Sequence, residues 1–249
     1  MLSGDLQMSH EQSITSKLIR RYYRETQSDI LYTAFCSYVK PGTKVLDAGC
    51  GYTLSCSREG PWPDIYIVGV DQDPAAHSNP FCNETLICDL KTLPFADATF
   101  DLIHCRWVIE HLEDPLSVFY EFARVLKPGG HLLALTSNIY HYATIAAKLT
   151  PYWFHRRWWP GRPLEPCPTY FRANSPRGLR RLCANVGLNI RRLELNEGLP
   201  VYLVRCWPAF LGGVLYERIV NSTRVLECIR HTIFLDAFMK SKHTHHNKL

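Results

Sequence analysis

No C-x-x-C pair and no zinc-type spacing occur in this chain, although ten of its 249 residues are cysteine. Neither a metal set nor a disulfide framework can be read, so the thiols are expected to be reduced and mostly buried. The opening "MLSGDLQMSHEQ" lacks the basic start and apolar run of a signal peptide, and the expectation is a cytoplasmic protein. Long apolar runs are also scarce. The stretch Gly198 to Tyr216 carries a single charge, Arg205, but Pro208, Gly212 and Gly213 interrupt it, which argues against a membrane span. Charge of one sign is modest too. A net charge of +5 permits an anionic partner without demanding nucleic acid. The ending "HTHHNKL" reads as a disordered tail, 241–249, rather than a metal site.

What is present is an alternation. Hydrophobic residues make up 46% of the chain, enough for one sizeable domain. Residues 10–39 have helical spacing, with Leu18, Ile19, Tyr22, Tyr23 and Ile30 recurring at three- and four-residue intervals, and 1–39 is read as a helical N-terminal segment. Strands follow at "KVLDAG", "DIYIVGVD", "TLICDL", "TFDLIHCRW" and "HLLALTSN", with a helix "DPLSVFYEFARVLKPGG" capped by Asp114 and started by Pro115. A second helix is capped by Ser175, and "NIRRLELNE" is read as a sixth strand. Strands alternating with helices predict an α/β fold with a doubly wound, mostly parallel sheet over 40–198. Residues 140–172, rich in proline, aromatics and arginine, read as a lid insertion. Residues 199–240 are expected to form a helical C-terminal extension, with Val225, Leu226, Ile229 and Ile233 on one amphipathic face. A seventh strand has one candidate, "VYLVRCW".

The turn "VLDAGCGYT", Val45 to Thr53, follows the first strand, where open α/β sheets bind ligands. A dinucleotide turn needs G-x-G-x-x-G, but Leu54 occupies the third glycine position. Asp47 would also face pyrophosphate charge, which Coulomb repulsion disfavours. A cationic ligand without phosphate suits this turn better. A second carboxylate, Asp71, ends the second strand twenty-two residues after Gly49, and a third, Asp89, follows the third strand. Taken singly, Asp47 also fits an ordinary strand-end carboxylate and Asp71 a turn cap before Pro74.

Five stretches in register, "VLDAGCG", "VGVDQDP", "CDLKTLPFADATFDLI", "VIEHLEDP" and "FARVLKPGG", resemble the class I S-adenosylmethionine-dependent methyltransferases. The likeness is strongest to the branch of quinone-biosynthesis and small-molecule or sugar-modifying enzymes, and covers roughly 40–138. It implies a Rossmann-like methyltransferase fold with S-adenosyl-L-methionine as cofactor. By that resemblance Asp47, Gly49, Cys50 and Gly51 form the methionine-side loop. Asp71, with Gln72 beside it, takes the ribose hydroxyls. Asp89 takes the adenine amine between Cys88 and Leu90, and Cys105 and Arg106 line the methionine end. Thr53 departs from the pattern, since many members carry glycine there.

His111, in the Glu110-His111 pair, and His141, beside Tyr140, are the candidate proton acceptors; each also reads as a structural histidine. Arg156, Arg157 and Trp158 are candidate substrate residues, because guanidinium groups hold phosphates or carboxylates and indoles suit sugars or membrane interfaces. A solvated basic face is the competing reading. The acceptor expected is a small molecule, glycan or lipid-linked intermediate, anionic in character, with peripheral contact at the inner face of the membrane left open. Two rivals stand beside this reading: a non-catalytic or membrane-associated binding protein on the same fold, and a nicotinamide-type oxidoreductase. Nucleic acid is not the expected substrate, as no Asn-Pro-Pro-aromatic motif is present. No metal is called for, and the oligomeric state is not legible.

Overall fold

A computed structural model describes residues 28–51, 64–150, 168–198, 200, 203 and 206–241. Five strands come first: β1 (Lys44–Ala48), β2 (Tyr66–Asp71), β3 (Glu84–Ile87), β4 (Phe100–Arg106) and β5 (Leu126–Ser137). They are followed by β6 (Leu188–Asn196) and β7 (Thr232–Met239). Helices α1 (Ser28–Tyr38), α2 (Pro115–Val125), α3 (Tyr142–Leu149), α4 (Pro176–Asn185) and α5 (Trp207–Ser222) surround the strands. The sheet runs in the order β3-β2-β1-β4-β5-β7-β6. Strand β7 is antiparallel to both of its neighbours, and the other pairings are parallel.

Side-chain alternation divides the core into two layers. Val45, Ile67, Leu102, Leu133 and Phe234 face α1, where Leu31, Ala34 and Phe35 cover them. Their chain neighbours Leu46, Val68, Ile103, Leu132 and Leu235 face α2 and α4, against Phe119, Phe122, Leu179 and Leu182. Each fully buried side chain of this size contributes about 1.5–3 kcal/mol. Helix α2 starts where Asp114 accepts the Ser117 N–H at 3.2 Å, with Pro115 at the first helical position. Helix α4 starts the same way, Ser175 accepting from Gly178.

The C-terminal part departs from expectation. The amphipathic helix predicted around Val225 to Ile233 does not form. Val225 is 82% exposed, and Ile233 lies inside β7. The seventh strand is therefore "TIFLDAFM", not "VYLVRCW", and the helix of this region lies earlier, at α5. The reason is that β7 sits between β5 and β6 with both faces covered, so its residues form a nearly continuous apolar run, broken by Asp236, without strand-like alternation.

One buried polar network ties α1 to the sheet edge opposite the glycine turn. Tyr38 donates to Asp236 at 2.6 Å and His131 Nδ1 donates to the other oxygen at 2.9 Å, while Arg191 donates to the Tyr38 oxygen at 2.7 Å. Burial, with Asp236 beside it, pushes the Tyr38 phenol up to about 12. The variant Tyr38→Phe is expected to lose about 1–2 kcal/mol in urea denaturation, since Asp236 keeps His131 but loses one donor. An unchanged midpoint would show that this hydrogen bond does not help hold α1.

Candidate functional site

The carboxyl ends of β1, β2 and β4 converge on the glycine turn. Gly49 and Gly51 have φ of +74° and +53°, left-handed values that disfavour other residues. A Cβ on Gly49 would overlap the side chain of Val108, whereas one on Gly51 would enter open space. Asp71 shapes the same loop: its Oδ2 accepts the Gly51 N–H at 2.8 Å, and Oδ1 accepts the Asp73 N–H at 2.9 Å. The carboxylate is partly exposed and retains lone pairs for a ligand.

Asp47 lies deeper than the other two carboxylates. It shares the parity of Val45, so its side chain points into the α1 layer, where it is only 1% exposed. Across the β1–β4 register it meets His104, whose Nδ1 lies 3.0 Å from Oδ1. The ring of Phe35 packs edge-on against His104 at 6.0 Å. The carboxylate lies beneath the turn and is paired with His104.

The remaining predicted residues separate by exposure. Gln72 is exposed, and Cys88, Asp89 and Arg106 are partly exposed. Asp89 accepts from the Lys91 backbone at 2.9 Å and pairs with its ammonium at 3.2 Å. Cys50, Leu90 and Cys105 are buried at 2%, 6% and 0% exposure. Their side chains pack the core under the loop. Burial also pushes the Cys105 thiol far up.

The two histidine candidates are both tied into structure. His111 Nδ1 lies 2.8 Å from the Pro168 carbonyl, so this nitrogen must carry the proton. The carbonyl of Glu110 accepts from Tyr170 and Phe171, fastening 168–171 to the short 3-10 turn Ile109–His111. The Glu110 carboxyl is buried, which raises its pKa, and it accepts from Thr136 at 2.8 Å and Ser137 at 3.1 Å. His141 is 0% exposed, and its Nδ1 accepts the Ala143 N–H at 3.3 Å to cap α3. In this position it caps a helix and lies beneath the surface of the site. Its Nε2 faces Glu197 Oε2 at 3.3 Å. Arg156, Arg157 and Trp158 lie outside the described residues.

Sequence reasoning missed His104, Glu197, His231 and Trp107. His104 had a signal, a polar residue inside an otherwise apolar strand. The others come together only at the folded sheet edge. The His231 ring lies 4.6 Å from His141 and 6.0 Å from Trp107, and the backbone N–H of His231 donates to Glu197 at 2.9 Å. Trp107 holds φ +57°, a strained value for a bulky residue. A cavity of about 500 Å³ lined by Asn196, Asn221, Arg224 and Arg230 opens nearby. None of the predicted cofactor residues lines it.

Burial, with His141 adjacent, pushes His231 down from the usual 6.5 to about 3. Because the folded value lies below the unfolded one, this group contributes stability above about pH 6.5 that is lost as pH falls toward 3. Between pH 7 and 5 the wild type is therefore expected to lose up to about 1.4 kcal/mol per pH unit more than His231→Gln. The comparison cancels Glu110, whose raised value acts in the opposite sense. Equal pH slopes in urea denaturation would contradict it.

The family model described as "Methyltransferase domain" matches residues 46–134. Malonyl-[acyl-carrier protein] O-methyltransferase of Herminiimonas arsenicoxydans is 38% identical over 109 residues, covering 41% of this chain and 40% of that protein. Phosphoethanolamine N-methyltransferase of Triticum aestivum is 34% identical over 103 residues, covering 38% of this chain and 20% of that one. The chain thus spans at most two fifths of the length of these relatives. Among solved structures, geranyl diphosphate methyltransferase in complex with SAM superposes with a TM-score of 0.57 at 17% identity, covering 94% of this chain and 92% of that one. That last likeness is one of fold. Residues 46–134, which hold the glycine turn, Asp71 and Asp89, are thus the part of the chain that matches a methyltransferase domain.

Proposed function

We propose that the chain transfers a methyl group from S-adenosylmethionine to a small anionic, lipid-linked acceptor at a membrane surface. The observation that carries the cofactor reading is the turn itself. Asp71 binds the Gly51 N–H while keeping lone pairs free, and the space beyond Gly51 is open. A nucleoside with a cationic, phosphate-free tail fits that cradle. Gly49, Gly51, Asp71, Cys88 and Asp89 would hold it. When bound, the cofactor supplies an electrophilic methyl carbon on a sulfonium.

The chain's own contribution is position and exclusion of water, since methyl transfer is an in-line displacement. At the acceptor edge stands His231, partly exposed and neutral at physiological pH. As a neutral ring it can accept a hydrogen bond from an acceptor group without adding positive charge. Glu197 holds its backbone N–H, and the His141 ring packs against its own ring.

Two lines support an anionic acceptor. Arg156 and Arg157 precede the segment 168–171 fastened by Glu110 and His111, and Arg172 directly follows it, over the Tyr170 ring at 5.5 Å. Two of the similar proteins are named for phosphorylated small molecules.

The membrane surface rests on α5 and α3. Trp207, Leu211, Leu215 and Ile219 recur every four residues and are 40%, 38%, 62% and 50% exposed. Ile145 and Leu149 of α3 are also exposed, and Tyr142 meets Tyr216 at 4.8 Å to join the two helices. Among the described residues no helix is long and apolar enough to cross a membrane. An apolar stripe beside the acceptor edge suits shallow insertion. The chain is expected to co-sediment with phosphatidylglycerol vesicles, and Leu215→Glu with Ile219→Glu to weaken this at least tenfold. Wild type that stays in the supernatant, or a double variant that binds equally well, would overturn the membrane reading without touching the cofactor reading.

A further inference from the structure

Gly69 lies in the middle of β2, between Val68 and Val70. A Cβ built there would stand 2.7 Å from Cys50 Sγ and 2.7 Å from Cys82 Sγ. The two sulfurs therefore share the slot left by the missing side chain, within twice that distance of one another. Cys50 belongs to the glycine turn, whereas Cys82 lies 32 positions later, on the segment leading into β3.

The backbone around the pair is stitched together. Asn79 donates to the Cys50 carbonyl at 3.0 Å and to the Gly51 carbonyl at 3.2 Å, and its Oδ1 accepts from Phe81 at 3.0 Å. On the far side of Cys82, Asn83 exchanges hydrogen bonds with Ile67: its N–H donates at 2.8 Å and its Oδ1 accepts at 2.7 Å. Cys82 is thus held against the turn from both sides. It is partly exposed, while Cys50 is 2% exposed.

We propose that Cys50 and Cys82 form a peroxide-oxidisable dithiol whose disulfide reshapes the cofactor turn. The accessible Cys82 thiolate attacks hydrogen peroxide, forming a sulfenic acid and releasing hydroxide, which takes up the thiol proton to give water. The Cys50 sulfur then attacks that sulfenic sulfur. An S–S bond forms and the S–O bond breaks, and the Cys50 proton leaves with the hydroxyl as a second water. Two thiols lose two electrons and two protons in total, and one peroxide is reduced to two waters. Closing the bridge draws the sulfurs to about 2.05 Å. That pulls the Cys50 backbone, whose neighbour Gly51 makes the bond to Asp71.

The test treats the intact chain with hydrogen peroxide, blocks residual thiols and maps disulfides by peptide mass spectrometry. S-adenosylhomocysteine affinity is measured before oxidation, after it and after dithiothreitol. The expected result is a Cys50–Cys82 cross-link with affinity at least tenfold weaker, restored by the reductant. Cys82→Ser, checked for wild-type circular dichroism, should bind as before and resist peroxide. Oxidation of other cysteines without this cross-link would overturn the site. A cross-link that leaves affinity unchanged would overturn its effect on the turn. The mapping needs no cofactor, so it reads the dithiol even if the cofactor reading fails.

Discussion

Gly49→Ala is expected to destabilise the protein by about 2–5 kcal/mol and to abolish cofactor binding in whatever fraction stays folded. Two effects add. A residue with a Cβ at φ +74° bears about 1–2 kcal/mol of left-handed strain. The new methyl also collides with Val108, and overpacking of this kind costs about 1–3 kcal/mol. The two are separable because only the second depends on Val108. In the double variant with Val108→Ala, urea denaturation should recover the overpacking part and leave the strain. Strictly additive losses in the double variant would mean that the turn relaxes away from Val108, and the close approach of β1 to the 109–111 turn would need another explanation.

Asp71→Ala should weaken S-adenosylhomocysteine binding by at least about 100-fold. Each hydrogen bond to a carboxylate is worth about 1.5–3 kcal/mol, and this side chain makes two to backbone N–H groups before any ligand arrives. Alanine therefore removes ligand contacts and loosens the loop that makes the others. Asp71→Asn keeps one acceptor oxygen and is expected to fall between alanine and wild type. Calorimetric titration separates the three, with melting temperatures reporting the loop's share. Affinities within threefold of one another would remove Asp71 from the site.

Much of this site was legible because it depends on local backbone chemistry. Glycines at left-handed positions, a strand before them and a carboxylate at the end of the next strand are all patterns within a single βαβ unit. Residues joined only by register were not legible. Nothing near Asp47 in the chain announces His104, fifty-seven residues later. That pairing follows from which strands are neighbours, and it fixes the carboxylate beneath the turn. His231 and Glu197 meet His141 because β7 inserts antiparallel between β5 and β6. The same insertion hid β7, since "TIFLDAFM" is buried on both faces and reads like a helix or a strand. The exposed stripe of α5 was disguised as well. Its opposite face, with Phe210, Val214 and Val220, is also apolar, so the sequence shows no amphipathic contrast there.

The central claim is that this turn holds S-adenosylmethionine. Isothermal calorimetry of the intact, reduced chain with S-adenosylhomocysteine tests it most directly, with NADH titrated in parallel. The account predicts one S-adenosylhomocysteine per chain at micromolar affinity and no heat from NADH. A folded chain that ignores S-adenosylhomocysteine, or binds NADH in its place, would contradict it.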